Sequence, residues 1–389
     1  MSSLTWLDFS DAERRRALEV LDLLSADETR DELGLGTIRD AFADAMFPGI
    51  STIQRRARYF LFVPWAFREV ERRHRSRSGA LDQTRRHELR LIDALLKSDD
   101  QDGVIGARAR RSLQQVPSMI YWQGLGRWHI RRRRGTREQW SRAVLSAEEL
   151  ARDDDGQLVD RDPWWDDGIP APPDDWPDSA TLELRPLEAT YLRERIGQTC
   201  EHTVLATLVE RDGDWTPVSF PWELDLTDVP ADQRVLISFA QRFSETMHGA
   251  ALLYNHMLAV AREDEEREGN YRAALDAWSA ADAVAPRDET PMGGLWEQLA
   301  QLNSRHRRAT REFVEEWFRL SDEPDRIAEN RQAQTLIRER EREVKHRQAR
   351  LSYDAALETW RGAAGAAQLS FRWPSAQRQL LDIVRTSAK

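Results

Sequence analysis

The chain has 389 residues, a length that predicts two or three domains, each large enough to bury its own core. Its formal net charge of −10, with 32% charged and 40% hydrophobic residues, fits a soluble globular protein and excludes a wholesale polyanion binder, so any nucleic-acid contact must come from a local patch. A single cysteine, Cys200, excludes an internal disulfide and a thiolate zinc cluster and points to a reducing cytoplasm.

Met1 to Phe9 lacks a basic segment followed by an apolar core, and no stretch approaches the roughly eighteen apolar residues of a membrane span. Neither a signal peptide nor a membrane partner is expected. Ser10-Asp11-Ala12-Glu13 is a capping box that opens a helix with Ala17, Leu18, Leu21 and Leu24 on one face. Thr37 caps a second helix, with Ile38, Phe42 and Ala45 inward, which stops at Pro48-Gly49. Ser51-Thr52-Ile53-Gln54 opens a third, with Arg55, Arg56 and Arg58 in its first turns. Its Tyr59 to Val63 and Trp65 are apolar all round, which predicts burial on several sides and a kink at Pro64. The last two helices have the spacing of a helix-turn-helix, but such apolarity favours a plain helical hairpin.

Residues 82 to 98 continue as helix, Gly103 to Gly106 turn, and Pro117, Gly124 and Gly126 break residues 108 to 130 into short helices. Pro163, Gly168, Pro170, Pro172, Pro173 and Pro177 punctuate Asp153 to Asp178 and predict a linker or long loop, yet Trp164, Trp165 and Trp176 within it predict that part of it docks on a neighbouring surface. Thr181 to Leu184 has strand-like composition, and Pro186 opens a helix carrying Leu187, Tyr191, Leu192, Arg195 and Ile196. Beyond Pro230, Leu236, Phe239, Phe243, Met247, Ala250, Tyr254 and Met257 step by three or four and predict a long helix with a sustained core face. Tyr271 to Ala285, Trp296 to Leu320 and Asp325 to Leu351 repeat that pattern with more surface charge. Leu369 to Trp373 is strand-like, and Pro374 to Ser387 is the last helix. The expected fold class is mainly α: two helical lobes with a few short strands and an acidic Pro/Trp-rich connecting segment. The lobes are drawn at residues 1–150 and 181–389, with 151–180 as the linker or docked loop.

One charge pattern stands out. From Ala107 to Arg142 there are ten arginines against one acid, and from Glu148 to Asp178 twelve acids against two arginines. Basic charge beside aromatic rings suits a phosphate backbone with stackable bases, while the acidic stretch could occupy the same surface when no nucleic acid is bound. The candidate nucleic-acid-binding residues are Arg127, Arg131, Arg132, Arg133 and Arg134, with Tyr121 and Trp128 for stacking, and Arg55, Arg56 and Arg58 on the third helix. A solvated helix face beside an acidic linker is the bland alternative.

Catalytic signatures are missing. None of the three lysines, Lys97, Lys345 and Lys389, ends a glycine-rich phosphate loop, and Gly-x-Ser-x-Gly is absent. His248 and His256, with Glu245 nearby, lie eight residues apart, too far to share an ion comfortably on one helix. Cys200, Glu201 and His202 point in different directions on a helix. Glu341 and Lys345 form an i, i+4 pair whose usual meaning is a solvated helix. No catalytic residue, metal or cofactor is therefore assigned.

Leu4-Thr5-Trp6-Leu7-Asp8-Phe9-Ser10, the block Gly36 to Trp65 with Phe47-Pro48-Gly49 and Arg56-Ala57-Arg58-Tyr59-Phe60, Gly249-Ala250-Ala251-Leu252-Leu253-Tyr254-Asn255 and Phe371-Arg372-Trp373 together resemble a full-length bacterial family of unknown function. Its members sit near helicases and nucleases in anti-phage loci, so the resemblance implies a DNA-associated defence component. The expected function is a non-enzymatic nucleic-acid-associated subunit of such a complex, meeting a DNA or RNA backbone and other subunits, among them a helicase or nuclease. A protein-interaction scaffold that never touches nucleic acid, and an enzyme with no local motif, are the alternatives.

Overall fold

A computed structural model describes residues 31–73, 79–109, 112–147, 163–211, 218–282, 292–302, 304–321 and 327–387. The capping box at Ser10 and the acidic residues 153–162 lie outside them. The described residues form fourteen α-helices: α1 (Gly36–Met46), α2 (Tyr59–Arg73), α3 (Ala80–Leu95), α4 (Pro117–Arg127), α5 (Arg137–Ala147), α6 (Pro186–Thr199), α7 (Val204–Val209), α8 (Ala231–Ala261), α9 (Glu265–Asp282), α10 (Met292–Gln301), α11 (Arg308–Ser321), α12 (Arg331–Lys345), α13 (Asp354–Leu357) and α14 (Trp373–Ser387). The chain is mainly α, as its periodicity predicts. The expected short strands are not formed among the described residues, where the only β pairing is an antiparallel bridge between Arg131 and Trp165. At Leu369 to Trp373 the chain turns instead, with Phe371 and Arg372 at φ 53° and 68°.

Two compact units interleave along the sequence. One comprises Met1–Phe42 and Val235–Phe371, the other Ala43–Arg234 and Arg372–Lys389. The boundaries drawn at residues 150 and 180 both fall inside the second unit.

In the first unit, Asp31 rather than Thr37 holds the start of α1, its carboxylate accepting from the backbone N–H of Leu35 at 2.6 Å and Gly36 at 2.7 Å. The 31 residues of α8 extend about 45 Å and carry the core stripe: Phe243, Met247, Ala250 and Tyr254 are buried, and Phe239 is half-buried. Gly249 is needed here, because a Cβ would come within 2.4 Å of the Trp278 ring, whose Nε1 donates to the Glu245 carbonyl at 2.8 Å. Asn255 is fully buried and bonds both backbone groups of Ala364 at 2.8 Å, giving an irregular segment the partners a strand would supply. The segment from Trp296 to Leu320 is two helices rather than one.

Of Lys345 and Glu341, expected on a solvated face, Glu341 is buried and Lys345 is half-buried. Glu341 accepts from the Tyr254 hydroxyl at 2.5 Å and from the backbone N–H groups of Arg350 and Leu351 at 2.7 and 2.9 Å. Lys345 pairs with Glu32 and donates to the Tyr254 hydroxyl at 2.9 Å, and Arg350 donates to Glu32 at 2.9 Å. Two acids and two bases thus balance in the interior, and burial together with the Glu341 charge pushes the Tyr254 phenol well up. His248 is half-buried, and desolvation pushes its imidazole down despite a bond to the Ala366 backbone.

In the second unit, the first nine residues of α2 are enclosed on every side, with Tyr59 to Val63 and Trp65 to Phe67 all buried and Pro64 inside the helix. That part of α2 has no exposed face to lay in a DNA groove. It begins at Tyr59 and not at Ser51, because the preceding N–H groups are engaged elsewhere. Those of Arg55 and Arg56 go to the Tyr121 hydroxyl at 2.9 and 3.2 Å, and that of Ala57 goes to Asp382 at 2.9 Å. Pro117 and Pro186 occupy the first turns of α4 and α6, where a missing N–H costs nothing. Cys200 is buried, which pushes its thiol up, away from the reactive thiolate.

Glu88 on α3 is a buried carboxyl that accepts from the Ser118 N–H at 2.6 Å and from its hydroxyl at 3.2 Å. Burial outweighs those bonds and the charges of Arg137 and Arg85 and pushes its pKa up to about 7. The native state therefore keeps a proton that the unfolded chain releases, so stability falls as pH rises from the ordinary carboxyl range through about 7. Glu88→Gln removes that dependence. The variant is expected to unfold at higher urea than the parent at pH 8, by on the order of 2 kcal/mol, and to lose the advantage towards pH 4.5. An advantage that stays constant from pH 5 to pH 8 would show that Glu88 does not titrate in this window.

Candidate nucleic-acid interface

After α4 the chain turns at Trp128 and His129, the latter at φ 51°, bends at Ile130 and again at Arg133, and forms at Arg131 the antiparallel bridge with Trp165. This stretch is pinned by main-chain bonds to the far end of the acidic segment. Arg132 N donates to the Trp164 carbonyl at 3.0 Å, and Asp166 N donates to the Ile130 carbonyl at 2.9 Å. Trp164 and Trp165 are buried. Arg131 is buried, whereas Arg132, Arg133 and Arg134 are exposed.

Arg131 points inward. Its guanidinium lies 4.8 Å from the Trp122 ring centroid and donates to the Arg133 carbonyl at 2.5 Å, while its Nε has no hydrogen-bond partner among the described residues. Burial pushes its pKa down, with no carboxylate to offset the cost. Arg132 points outward and grips Asp166 at 3.0 and 2.7 Å, with Asp167 at 3.7 Å. Burial works against the Asp166 charge, but hydrogen bonds from Arg132 and Tyr191 and the nearby Arg195 outweigh it and hold the carboxyl below its usual range. Arg133 is exposed over the Trp164 ring at 5.1 Å. Arg134 is exposed and makes no ion pair or side-chain hydrogen bond with any described residue. Arg127, at the end of α4, is exposed with one bond to the Thr199 carbonyl at 3.1 Å.

The remaining sequence candidates are placed differently. Trp128 is fully buried, stacked on Phe60 at 3.9 Å, with its Nε1 donating to the Pro48 carbonyl at 2.9 Å. Gly49, at φ 87°, leaves room for that indole, since a Cβ there would lie 2.6 Å from Nε1. Tyr121 is equally buried, between Tyr59 and Phe60, its hydroxyl also donating to the Arg56 carbonyl at 2.9 Å. Neither ring has a face to offer a base. Arg56 is buried against Asp382 at 2.9 Å and Asp100 at 2.6 Å, and Arg58 against Glu188 at 2.9 Å and the Thr181 carbonyl at 2.9 Å. Both are structural cations, expected at a surface and found in the core. Arg55 alone of that trio is exposed.

Arg127, Arg132, Arg133 and Arg134 are thus the exposed part of the run, and Asp166 and Asp167 are carboxylates that already contact it. Sequence reasoning does not single out Asp166. The Trp-Trp-Asp-Asp run from Trp164 to Asp167 is the available signal, because two tryptophans fix where the next two acids fall.

A model of the family of unknown function DUF6361 matches residues 1–387, and the chain belongs to that family. No curated protein and no solved structure matches it.

Proposed function

We propose that this DUF6361 member is a non-enzymatic subunit of a bacterial complex that holds a DNA or RNA backbone through Arg127, Arg132, Arg133 and Arg134. The observation that supports this most is the arginine-bearing stretch after α4. Main-chain bonds fix it, three consecutive arginines leave it for solvent, and Arg134 has no carboxylate partner among the described residues. Pre-positioned guanidinium forks suit phosphate oxygens and carry no base code, so the contact is independent of sequence. The helicase or nuclease partner and the anti-phage setting rest on the family resemblance alone.

The test is titration of labelled random-sequence single strands and duplexes, DNA and RNA, with the isolated protein at low salt. Binding that is indifferent to base sequence is expected. No binding at about 50 mM salt, a condition that favours phosphate contacts, would transfer the same arginines to the scaffold reading.

Asp167 provides a finer check. It is exposed and 3.7 Å from Arg132, so it repels an approaching phosphate. Asp167→Asn is expected to tighten binding a few-fold at low salt and to leave it unchanged at high salt, where the Debye length shrinks to a few ångströms. Equal affinities at low salt would place the bound strand away from Arg132.

A further inference from the structure

With Tyr121 and Trp128 enclosed, stacking must come from elsewhere if the bound strand is single. Beside the arginine stretch, the second unit has a groove of about 780 Å³ with aromatic walls, between the end of α2, α3 and the loop 169–177. Its size is in the range of small-molecule sites. Trp176 lies in its wall, parallel to the His87 imidazole within 8° and edge-on to Trp65 at 5.9 Å. Glu71 lines the same groove. Its Oε1 accepts from the indoles of Trp140 at 2.6 Å and Trp165 at 3.0 Å, which leaves Oε2 without a hydrogen bond from the described residues. Arg72 and Arg90 stand on the rim with side chains 70% and 58% exposed, Arg72 paired with Glu69 and Arg90 with Asp178 at 2.5 Å, pairs that a phosphate would share.

The groove and the arginine stretch share one segment of chain. Residues 164–166 pair with the arginines, and residues 169–177 form the groove wall. Arg68, also lining the groove, donates to the Asp166 carbonyl at 2.7 Å, and the Asp166 carboxylate in turn holds Arg132. A strand lying on Arg132 to Arg134 therefore passes close to the groove mouth.

We propose that this groove receives one unpaired base of the strand whose backbone the arginines hold, with the base against Trp176, a base N–H on Glu71 Oε2, and its phosphate at Arg72 and Arg90. The inference rests on the nucleic-acid reading above. A carboxylate oxygen selects a base edge that donates, aromatic walls stack on any base face, and rim guanidinium groups donate to the phosphate oxygens. The ligand is thus a nucleotide within a single strand. A duplex, whose bases are stacked and paired, uses the arginine stretch alone.

The experiment uses the full chain and an oligothymidine bearing one 2-aminopurine. Binding is expected to change the 2-aminopurine fluorescence through stacking. Trp176→Leu should abolish that change and weaken single-strand affinity on the order of tenfold, with duplex affinity untouched. Trp176→His, which keeps a ring, should restore part of it. Arg72→Gln with Arg90→Gln, both exposed and safe for folding, should also weaken the single strand more than the duplex. Equal single-strand affinity in all these variants, with wild-type binding intact, overturns the groove and leaves the arginine reading standing. Absence of binding by the wild-type protein to either form overturns the arginine reading first. A full fluorescence change with free 2-aminopurine nucleotide at the same concentration would make the ligand a mononucleotide and overturn the strand-borne assignment.

Discussion

Glu341→Ala is expected to destabilise the protein by about 3–5 kcal/mol, a large part of the 5–15 kcal/mol that typically holds a domain together. The carboxylate is fully buried and serves four donors: the Tyr254 hydroxyl, Lys345, and the backbone N–H groups of Arg350 and Leu351. Removing it takes one of two acids from a largely buried cluster that keeps both Lys345 and Arg350 beside Glu32, and leaves two backbone donors without that acceptor. Glu339→Ala, two residues away on the exposed face of α12, is the matched control and should shift stability by no more than about 0.5 kcal/mol. Urea unfolding followed by near-UV circular dichroism separates the two. Equal midpoints would mean that the cluster is solvated and that Glu341 and Lys345 are an ordinary surface i, i+4 pair.

That cluster illustrates what one sequence can and cannot reveal. Helical periodicity exposes α8, whose stripe from Leu236 to Met257 needs no information beyond its own spacing. It misplaces Glu341 and Lys345, because a charged pair at i, i+4 looks the same whether water or Glu32, some three hundred residues distant, completes it. The start of α2 fails for the same reason, since the N–H groups of Arg55 to Ala57 are taken by Tyr121 and Asp382. Within the described blocks that carry the family resemblance, several residues serve packing. Gly249 admits Trp278, Asn255 braces Ala364, Gly49 admits Trp128, and Arg56 and Arg58 neutralise buried acids. They identify the fold and say little about its task. Within the arginine run, net charge is legible but direction is not. Arg131 is buried and Arg132 to Arg134 are exposed, and that placement depends on a backbone pairing with Trp164 to Asp166 that lies some thirty residues away in the chain.

The second large effect is on binding. Replacing Arg127, Arg132, Arg133 and Arg134 together by glutamine removes four exposed cations and no buried one, so the fold should survive while nucleic-acid affinity falls by a similar factor for every base sequence. Each lost phosphate contact lowers the salt dependence by about 0.9 in the slope of log affinity against log salt on a duplex. Four lost contacts therefore predict a slope shallower by about three to four and an affinity lower by more than about a hundredfold near 50 mM salt. Arg56→Gln and Arg58→Gln should behave oppositely, costing stability through Asp382 and Glu188 and leaving the slope alone in whatever protein remains folded.

The most direct measurement is the salt dependence of duplex binding for the wild-type protein and the four-arginine variant, run side by side between about 50 and 200 mM salt with folding checked by circular dichroism. A steep wild-type slope that flattens by about three to four in the folded variant is the expected result. Identical slopes in two equally folded proteins would contradict the assignment of the backbone contact to Arg127 and Arg132 to Arg134.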